Sequence, residues 1–194
     1  MPCSMFFILD EKNNTAMFIT DDILSLRIAE PEDAQRIYEW ENDRSIWRVS
    51  ETCSPTSRFQ IEQFLLGNSD IIANRQLRLM IDMVSEKTPI GCVDIFDYDP
   101  IHQRAGLGIL IESEHRLHGY AKRAIKMAMD YLFNDVMLHQ VHCLIDATNT
   151  GSQRLFQDLG FQCTGRKKEW IKAPEGYIDA LFYQFINTPS LEAL

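Results

Sequence analysis

The feature that most constrains this chain is a buried-strand pattern followed closely by a long amphipathic helix. Residues 107–111 are apolar apart from one glycine and predict a buried strand. Further along, apolar residues recur at the i, i+3, i+4 spacing of a single helix face. They are Ala121, Ala124, Ile125, Ala128, Met129, Leu132 and Phe133. The chain is therefore predicted to turn from strand to helix through Gly119.

The first turn of this predicted helix has the properties of an anion site. The first amide N–H groups of a helix have no partner within it, and the helix dipole adds partial positive charge there. Arg116, Lys122 and Arg123 place cationic side chains around the same point. The segment predicts binding of a phosphate or pyrophosphate, with an ordinary strand–loop–helix connection as the alternative.

Length and composition indicate one globular domain. The 194 residues are 45% hydrophobic and 24% charged, which is enough for one core. The net charge of −9 disfavours nucleic acid as a partner and mildly favours a cationic one. No apolar stretch approaches the about 20 residues that cross a bilayer. The apolar start lacks the basic residues and cleavage site of a signal peptide, so no membrane partner is expected.

The cysteines and histidines indicate neither a disulfide framework nor a metal site. The cysteines are scattered and contain no Cys-x-x-Cys pair; they are Cys3, Cys53, Cys92, Cys143 and Cys163. We expect reduced thiols in a cytoplasmic protein. The histidines are not spaced with acids on one helix face, so no metal is predicted. Those considered are His115, His118, His139 and His142.

Apolar patterning and turn signals predict a single α/β domain. The predicted order is strand, two helices, three strands, helix, strand, helix and two strands. Strands are expected at 24–28, 76–84, 90–96, 104–111 and 140–146, and on both sides of the turn at 173–176. Helices are expected from Pro31, from Ser54 to Asn68, at 120–135 and at 152–159. Residues 1–22 predict a loosely packed arm or a short hairpin.

Two short motifs lie at a characteristic separation within this order. Residues 116–121 read Arg-x-x-Gly-x-Ala, and residues 149–152 read Asn-x-x-Ser, followed by Leu-Gly-Phe at 159–161. The first resembles the pyrophosphate loop, and the second the later signature, of the GNAT superfamily of acetyl-CoA-dependent N-acetyltransferases. Two motifs at the right separation in the right element order are more specific than either alone. The similarity covers about residues 23–186.

The resemblance implies a fold and a branch of the superfamily. The implied fold is a single GNAT-like α/β (α+β) domain at 23–186, between an N-terminal extension at 1–22 and a C-terminal tail at 187–194. Its mixed, mostly antiparallel sheet would have six to seven strands, flanked by about four helices. Segments at 91–105 and 124–132 are most similar to spermidine or diamine N-acetyltransferases, a branch that also contains ribosomal-protein N-terminal acetyltransferases. Relatives are often oligomers, so a homo-oligomer is expected by analogy.

The resemblance also implies where acetyl-CoA would lie. Its pantetheine arm would follow residues 107–111, where a backbone N–H near Ile109 or Leu110 would donate to the developing oxyanion. Gly106 and Gly108 would allow a bulge there, or would only weaken the strand. The implied cofactor-binding residues are Ile109, Leu110, Ile111, Arg116, His118, Gly119, Tyr120, Ala121, Lys122, Asn149, Ser152 and Phe156. Helix capping is the alternative for the Asn149 and Ser152 pair.

An amine that is protonated at neutral pH needs a base before it attacks. The candidate carboxylates are Asp94, Asp97, Glu112 and Asp146. Family members often carry an acid in the middle of the fourth strand, where this chain has Gly106. Asp94 is the preferred catalytic candidate, because a charge is unexpected within a strand. A solvated or structural carboxylate is the alternative for each acid.

A second departure from the family concerns the acid that protonates the leaving thiolate. Many members have a tyrosine in the helix after the fifth strand, and Phe156 occupies that position here. The pKa of coenzyme A is near the about 8.5 of a free thiol, so acid assistance is helpful but not required. We expect direct attack by the amine, because no Ser or Cys lies in an identifiable arrangement with a His and an acid.

The first predicted helix suggests the chemistry of the substrate. It carries acids interleaved with aromatic residues: Glu32, Asp33, Tyr38, Glu39, Trp40, Glu41, Asp43, Trp47 and Glu51. Both kinds of side chain attract ammonium groups, although a solvated helix face is the alternative. The prediction is acetylation of a polyamine or diamine. The alternatives are N-terminal acetylation of a ribosomal or other protein, and a non-catalytic acyl-CoA-binding sensor, which Phe156 and Gly106 motivate.

Overall fold

The computed structural model describes residues 8–9, 16–47, 54–67 and 70–188. Its strands form one sheet with the order β1-β2-β3-β4-β5-β6-β7-β9-β8. They are β1 (Ile8–Leu9), β2 (Ala16–Thr20), β3 (Leu24–Ile28), β4 (Leu77–Met83), β5 (Thr88–Asp99), β6 (Arg104–Ile111), β7 (Gln140–Asp146), β8 (Gln162–Ala173) and β9 (Gly176–Ile186). All neighbouring strands pair antiparallel except β6 and β7, which are parallel.

Helices flank this sheet. They are α1 (Ala34–Glu41), α2 (Arg44–Trp47), α3 (Arg58–Gly67), α4 (Ile71–Asn74), α5 (Tyr120–Asn134) and α6 (Thr150–Asp158), with 3-10 turns at Pro31–Asp33 and Ser113–His115. Four of these helices have eight or more residues, as expected, and α2 and α4 are single turns. Within the described residues, none of the helices combines the length and apolarity that a bilayer crossing requires.

The GNAT-like α/β architecture is confirmed, but the sheet has more strands than the expected six to seven. The additional strands come from the start of the chain, where β1 and β2 pair antiparallel and β2 extends the sheet beside β3. The hairpin interpretation therefore fits the described part of residues 1–22. Of the expected C-terminal tail, residues 189–194 lie outside the described residues.

Local capping explains two helix starts that differ from expectation. Helix α3 begins at Arg58 because Ser57 and Gln60 form a capping box: the Gln60 amide donates to Ser57 Oγ, and the Ser57 amide donates to Gln60 Oε1. Helix α6 begins at Thr150 because the Asn149 side chain accepts from the Ser152 amide at 3.1 Å.

The sheet separates two apolar clusters. The larger one packs α5 and α6 against one face of the sheet, with Val93 and Ile95 of β5 and Leu107 of β6 fully buried. The smaller one packs α1 and α3 against the other face, where Met80 and Cys92 are buried. From Cys92 to Ile95 of β5, alternation thus sends the odd-numbered side chains toward α5 and the even-numbered ones toward α1 and α3.

A buried ion cluster attaches the start of α1 to the sheet. The Arg27 guanidinium of β3 donates to Asp33 at 2.6 and 2.8 Å and to Asp82 of β4 at 2.7 Å. Burial raises the pKa of Asp82, against the opposing effect of Arg27. Asp33 also accepts from the Glu30 amide, so it fixes the turn that enters α1. Each member of the cluster depends on the others for compensation of its charge.

Replacing Arg27 with methionine should lower the free energy of unfolding by about 3–5 kcal/mol, because two buried carboxylates would lose their counter-charge. Urea denaturation measures the change. The matched control is Arg58→Met, which breaks an exposed pair with Glu62 and should cost at most about 0.5 kcal/mol. Equal losses in the two variants would contradict the role given to the cluster.

Candidate active site

The site begins where the parallel strands β6 and β7 separate. Their pairing covers only three residue pairs, the last of which joins Gly106 to His142. Beyond this pair, β6 continues to Ile111 and β7 to Asp146 without pairing to each other. A gap bounded by main chain therefore opens between residues 107–111 and residues 143–146.

The register decides which amide of β6 faces this gap. The Glu112 amide donates to the Ile90 carbonyl at 2.9 Å, and pairing with β5 continues through Leu110 opposite Cys92. Because hydrogen bonding alternates along an antiparallel pair, the main chain of Leu110 faces β5 and that of Ile109 faces the gap. Ile111 follows the same alternation, since its carbonyl accepts from Arg116 Nε at 2.9 Å. Of the two expected donors, the geometry therefore favours Ile109 and not Leu110.

Of the two roles considered for Gly106 and Gly108, the bulge in β6 is not present. The register of β6 against β5 runs without a shift from Ile111 to Gly106, and the irregularity lies on β5, between Phe96 and Asp99. Asp97 adopts a left-handed conformation there, with φ of 50°. A Cβ at position 106 would lie 2.2 Å from the Phe96 ring. Glycine at 106 therefore admits this ring, and an acidic side chain there would collide with it.

The first turn of α5 presents uncapped amides to a surface cavity. Gly119 is the N-cap residue, with φ of 81° and no side-chain cap. The adjoining cavity has a volume of about 350 Å³ and is lined by Ile23, His118, Gly119, Tyr120, Lys122, Arg123 and Lys126. His118 stacks on Tyr120, with ring centroids 5.6 Å apart. Unpaired amides and a cationic lining are the features that bind a phosphate group.

The cationic side chains around this cavity differ in how far acidic partners compensate their charge. Arg123 donates to Asp21 at 2.7 Å and to Asp22 at 2.9 Å, so its charge is compensated by the turn between β2 and β3. Lys122 lies 3.8 Å from Asp158 and is half exposed. Lys126 was missed by the sequence analysis, although it follows Lys122 at the i, i+4 spacing that shares a helix face. The lysines are therefore the cations better placed for an anion.

The loop before α5 carries backbone strain. Leu117 adopts a left-handed conformation with φ of 65° and is fully exposed. For a residue with a Cβ this conformation costs roughly 1–2 kcal/mol. Gly119 also has a positive φ, and glycine adopts this conformation without that cost. A Cβ at this position would meet nothing within 4 Å. Glycine at 119 is therefore required by its dihedral angle and not by crowding within the protein.

The residues implied on α6 have structural partners. Asn149 caps the helix through the Ser152 amide, which is the alternative role considered for this pair. Phe156 is 3% exposed, and its ring packs edge-on against Phe161 at a centroid distance of 5.0 Å. The Phe156 ring therefore packs in the core, and its contact with a cofactor stays a prediction.

Three of the four candidate carboxylates are already engaged. Asp94 accepts from Arg78 at 2.6 and 2.9 Å. Glu112 accepts from Trp40 Nε1 at 2.8 Å and lies 3.2 Å from Arg36. Asp146 is buried and accepts from the amide and hydroxyl of Thr148, each at 2.7 Å. Asp97 is exposed on β5.

A second, smaller cavity lies on the face opposite α5. Its volume is about 200 Å³, and its lining is Phe64, Gln76, Leu77, Arg78, Asp94, Ile95 and Phe96. Arg78 bridges Asp94 and Glu41 of α1, which gives the cluster one net negative charge. Of the other acids expected to attract an ammonium group, Asp33 instead binds Arg27, and Glu51 lies outside the described residues. The aromatic and acidic lining suits an ammonium group.

Groups that would serve other chemistry are not assembled in the described ranges. There, no three His, Cys, Asp or Glu side chains are grouped to hold a metal ion. Cys92, Cys143 and Cys163 are free thiols, whereas Cys3 and Cys53 lie outside the described residues.

The gap, the uncapped helix and the two cavities fit one class of protein, the acyltransferases that use a phosphate-bearing acyl carrier. The model of the acetyltransferase (GNAT) domain family matches residues 24–162, and the chain belongs to that family. It is an acetyltransferase by membership.

Two relatives are similar over most of the chain. The spermidine N(1)-acetyltransferase of Escherichia coli (strain K12) is 29% identical over 142 residues, which cover 73% of this chain and 74% of the relative. The crystal structure of spermidine N-acetyltransferase from Vibrio cholerae in complex with CoA and spermine matches with a TM-score of 0.77 and 27% identity, over 86% of this chain and 96% of that one. A dodecameric structure of the Vibrio cholerae enzyme matches with a TM-score of 0.72 and 27% identity, over 86% and 95%.

Replacing Gly119 with valine should weaken acetyl-CoA binding by at least about tenfold, or 1.4 kcal/mol, because a β-branched residue resists a φ of 81° and would turn the first amides of α5 away. Isothermal titration calorimetry measures the affinity. Gly176→Val is the matched control: Gly176 has φ of 130° and open surroundings, but it lies in the β8–β9 turn. Unchanged affinity in Gly119→Val would rule out this anion site.

Proposed function

We propose that this acetyltransferase transfers the acetyl group of acetyl-CoA to a primary amine of a polyamine or diamine. The observation that carries the proposal is the gap between β6 and β7. On one side of this gap, β6 leads to the start of α5 with its cation-lined cavity. On its other edge β6 pairs with β5, which lines the aromatic and acidic cavity beside Asp94. An acyl carrier held on one side and an amine held on the other would meet at the gap.

The residues present fit acetyl-CoA. Gly119, Tyr120 and Ala121 offer helix amides, and Lys122 and Lys126 offer positive charge, to a diphosphate. Ile109 offers a gap-facing N–H to the carbonyl oxygen, where such a donor stabilises developing negative charge. Acetyl-CoA supplies an acyl group activated as a thioester. Holding both reactants in place accounts for much of the rate in such reactions, about 7–11 kcal/mol in the best cases.

The two buried thiols support direct attack by the amine. Burial raises the pKa of Cys143 to about 12, and burial with nearby Asp94 raises that of Cys92 still further. Because the thiolate is the nucleophilic form, neither side chain is suited to accept an acetyl group at neutral pH.

The cavity beside Asp94 supports a small cationic substrate. Asp94 and Glu41 outnumber Arg78 in charge, and Phe64 and Phe96 provide aromatic surface. A volume of about 200 Å³ suits an alkylamine better than a peptide. The spermidine N-acetyltransferases among the relatives support the same substrate class. We also propose a homo-oligomer, on the basis of the dodecameric Vibrio cholerae relative, and light scattering would test it.

Release of free thiol from acetyl-CoA, measured across spermidine, a diamine, a monoamine and a short peptide, tests the proposed function. We expect the highest kcat/KM with spermidine or the diamine. Preference for the peptide would favour the N-terminal acetyltransferase alternative. Calorimetric binding of acetyl-CoA without turnover on any acceptor would favour the sensor and overturn the proposal.

Replacing Asp94 with asparagine should raise KM for a diamine roughly tenfold, as expected when one charge-assisted contact is lost. KM for a monoamine should change less, because the second ammonium group is absent. Glu62→Gln is the matched control, since Glu62 is an exposed acid of α3 outside the cavity. A large fall in kcat with unchanged KM would instead assign Asp94 to proton transfer.

A further inference from the structure

His142 occupies the closed end of the gap. It is the last residue of β7 that pairs with β6, and its partner is Gly106, at the position where family members often carry an acid. Its neighbours Val141 and Cys143 are buried in the cluster with α5, so alternation directs His142 to the other face. The imidazole lies there between aromatic rings. Its centroid is 5.2 Å from that of Phe182, in a stacked arrangement, and 6.2 Å from that of Phe96.

The environment of this imidazole favours its neutral form. Burial lowers the pKa of His142 below its ordinary value, and Arg104 on β6 and Lys167 on β8 lower it further. Asp97 on β5 acts in the opposite direction but does not reverse the shift. Within the described part of the chain, neither ring nitrogen has a side-chain or main-chain hydrogen-bond partner. A neutral imidazole with a nitrogen lone pair available is a proton acceptor at physiological pH.

The carboxylates offer weaker candidates for this task. Both oxygens of Asp94 accept from Arg78, Glu112 accepts from Trp40, and Asp146 is bonded to Thr148. Asp97 is exposed. The Phe96 ring takes the space in which an acid at position 106 would lie. Among the described residues, His142 is therefore the only histidine on this face at the point where β6 and β7 stop pairing.

We propose that His142 is the general base that removes a proton from the ammonium group of the acceptor. This assignment rests on the proposed acetyl transfer to an amine. The ammonium group gives one proton to a ring nitrogen of His142. The nitrogen lone pair so freed forms the N–C bond to the acetyl carbon, while the C–S bond breaks and its electron pair leaves with sulfur. The second proton lost from nitrogen ends on the thiolate, and His142 returns its proton to water.

The test is the pH dependence of kcat/KM for the diamine in the full-length protein. In the wild type we expect activity to fall as the pH drops through the lowered pKa of His142, because the base becomes protonated. In His142→Phe, which keeps an aromatic ring beside Phe182, kcat should fall about 10²–10⁴-fold, the usual contribution of general base catalysis. The acidic limb belonging to His142 should also disappear. Added imidazole should restore part of the activity of His142→Ala.

The control is His139→Gln, an exposed histidine at the start of the same strand, which should keep the wild-type profile. Calorimetric affinity for acetyl-CoA should be unchanged in His142→Phe, which separates loss of catalysis from loss of folding or carrier binding. Wild-type kcat with an intact acidic limb in His142→Phe would overturn the assignment while leaving the acetyltransferase proposal standing. Absence of turnover by the wild type on every amine would overturn both.

Discussion

The short parallel pairing between β6 and β7 is the constraint on which the rest of the site depends. After Gly106 and His142 the two strands diverge, and the main chain of Ile109 is left facing a gap instead of a neighbouring strand. Exposed strand edges normally pair or are covered. Here the strand with the open edge leads through residues 112–119 to the uncapped start of α5, so two successive elements both carry backbone groups without a main-chain partner. A ligand with a polar chain and a diphosphate can satisfy both sets.

Ion pairs distribute charge between the two faces of an acidic protein. Arg123 is held by Asp21 and Asp22, which leaves the lysines of α5 as the accessible cations. On the opposite face, Arg78 pairs with both Glu41 and Asp94, so these two acids compensate its positive charge beside the second cavity. Net charge alone favoured a cationic partner only weakly. The arrangement of pairs is more informative, because fields are set by local charges within about a Debye length of 8–10 Å.

Elements with strong local signals were predicted closely, and those set by long-range contacts were not. Helix α5 ends within one residue of its predicted limit, because its apolar stripe is uninterrupted. Whether residues 1–22 form a hairpin was left open, since these short segments become strands only by pairing, β1 with β2 and β2 with β3. Phe156 was identified as the replacement for a tyrosine, but its burial depends on Phe161. The sequence analysis considered His142 only as one of four histidines whose spacing does not predict a metal site.

The sequence by itself determined the strand–glycine–helix connection at 116–121 and the resemblance that leads to the family, because dihedral preference, helix amides and apolar periodicity are local properties. Only the tertiary structure decided which amide of β6 faces the gap, which acids are engaged and where His142 lies. Those outcomes depend on strand register and on partners many residues apart, such as Arg78 with Asp94 and Gly106 with His142. No local sequence pattern encodes these outcomes, because a one-residue shift in the register of a strand would move each of its side chains to the other face of the sheet.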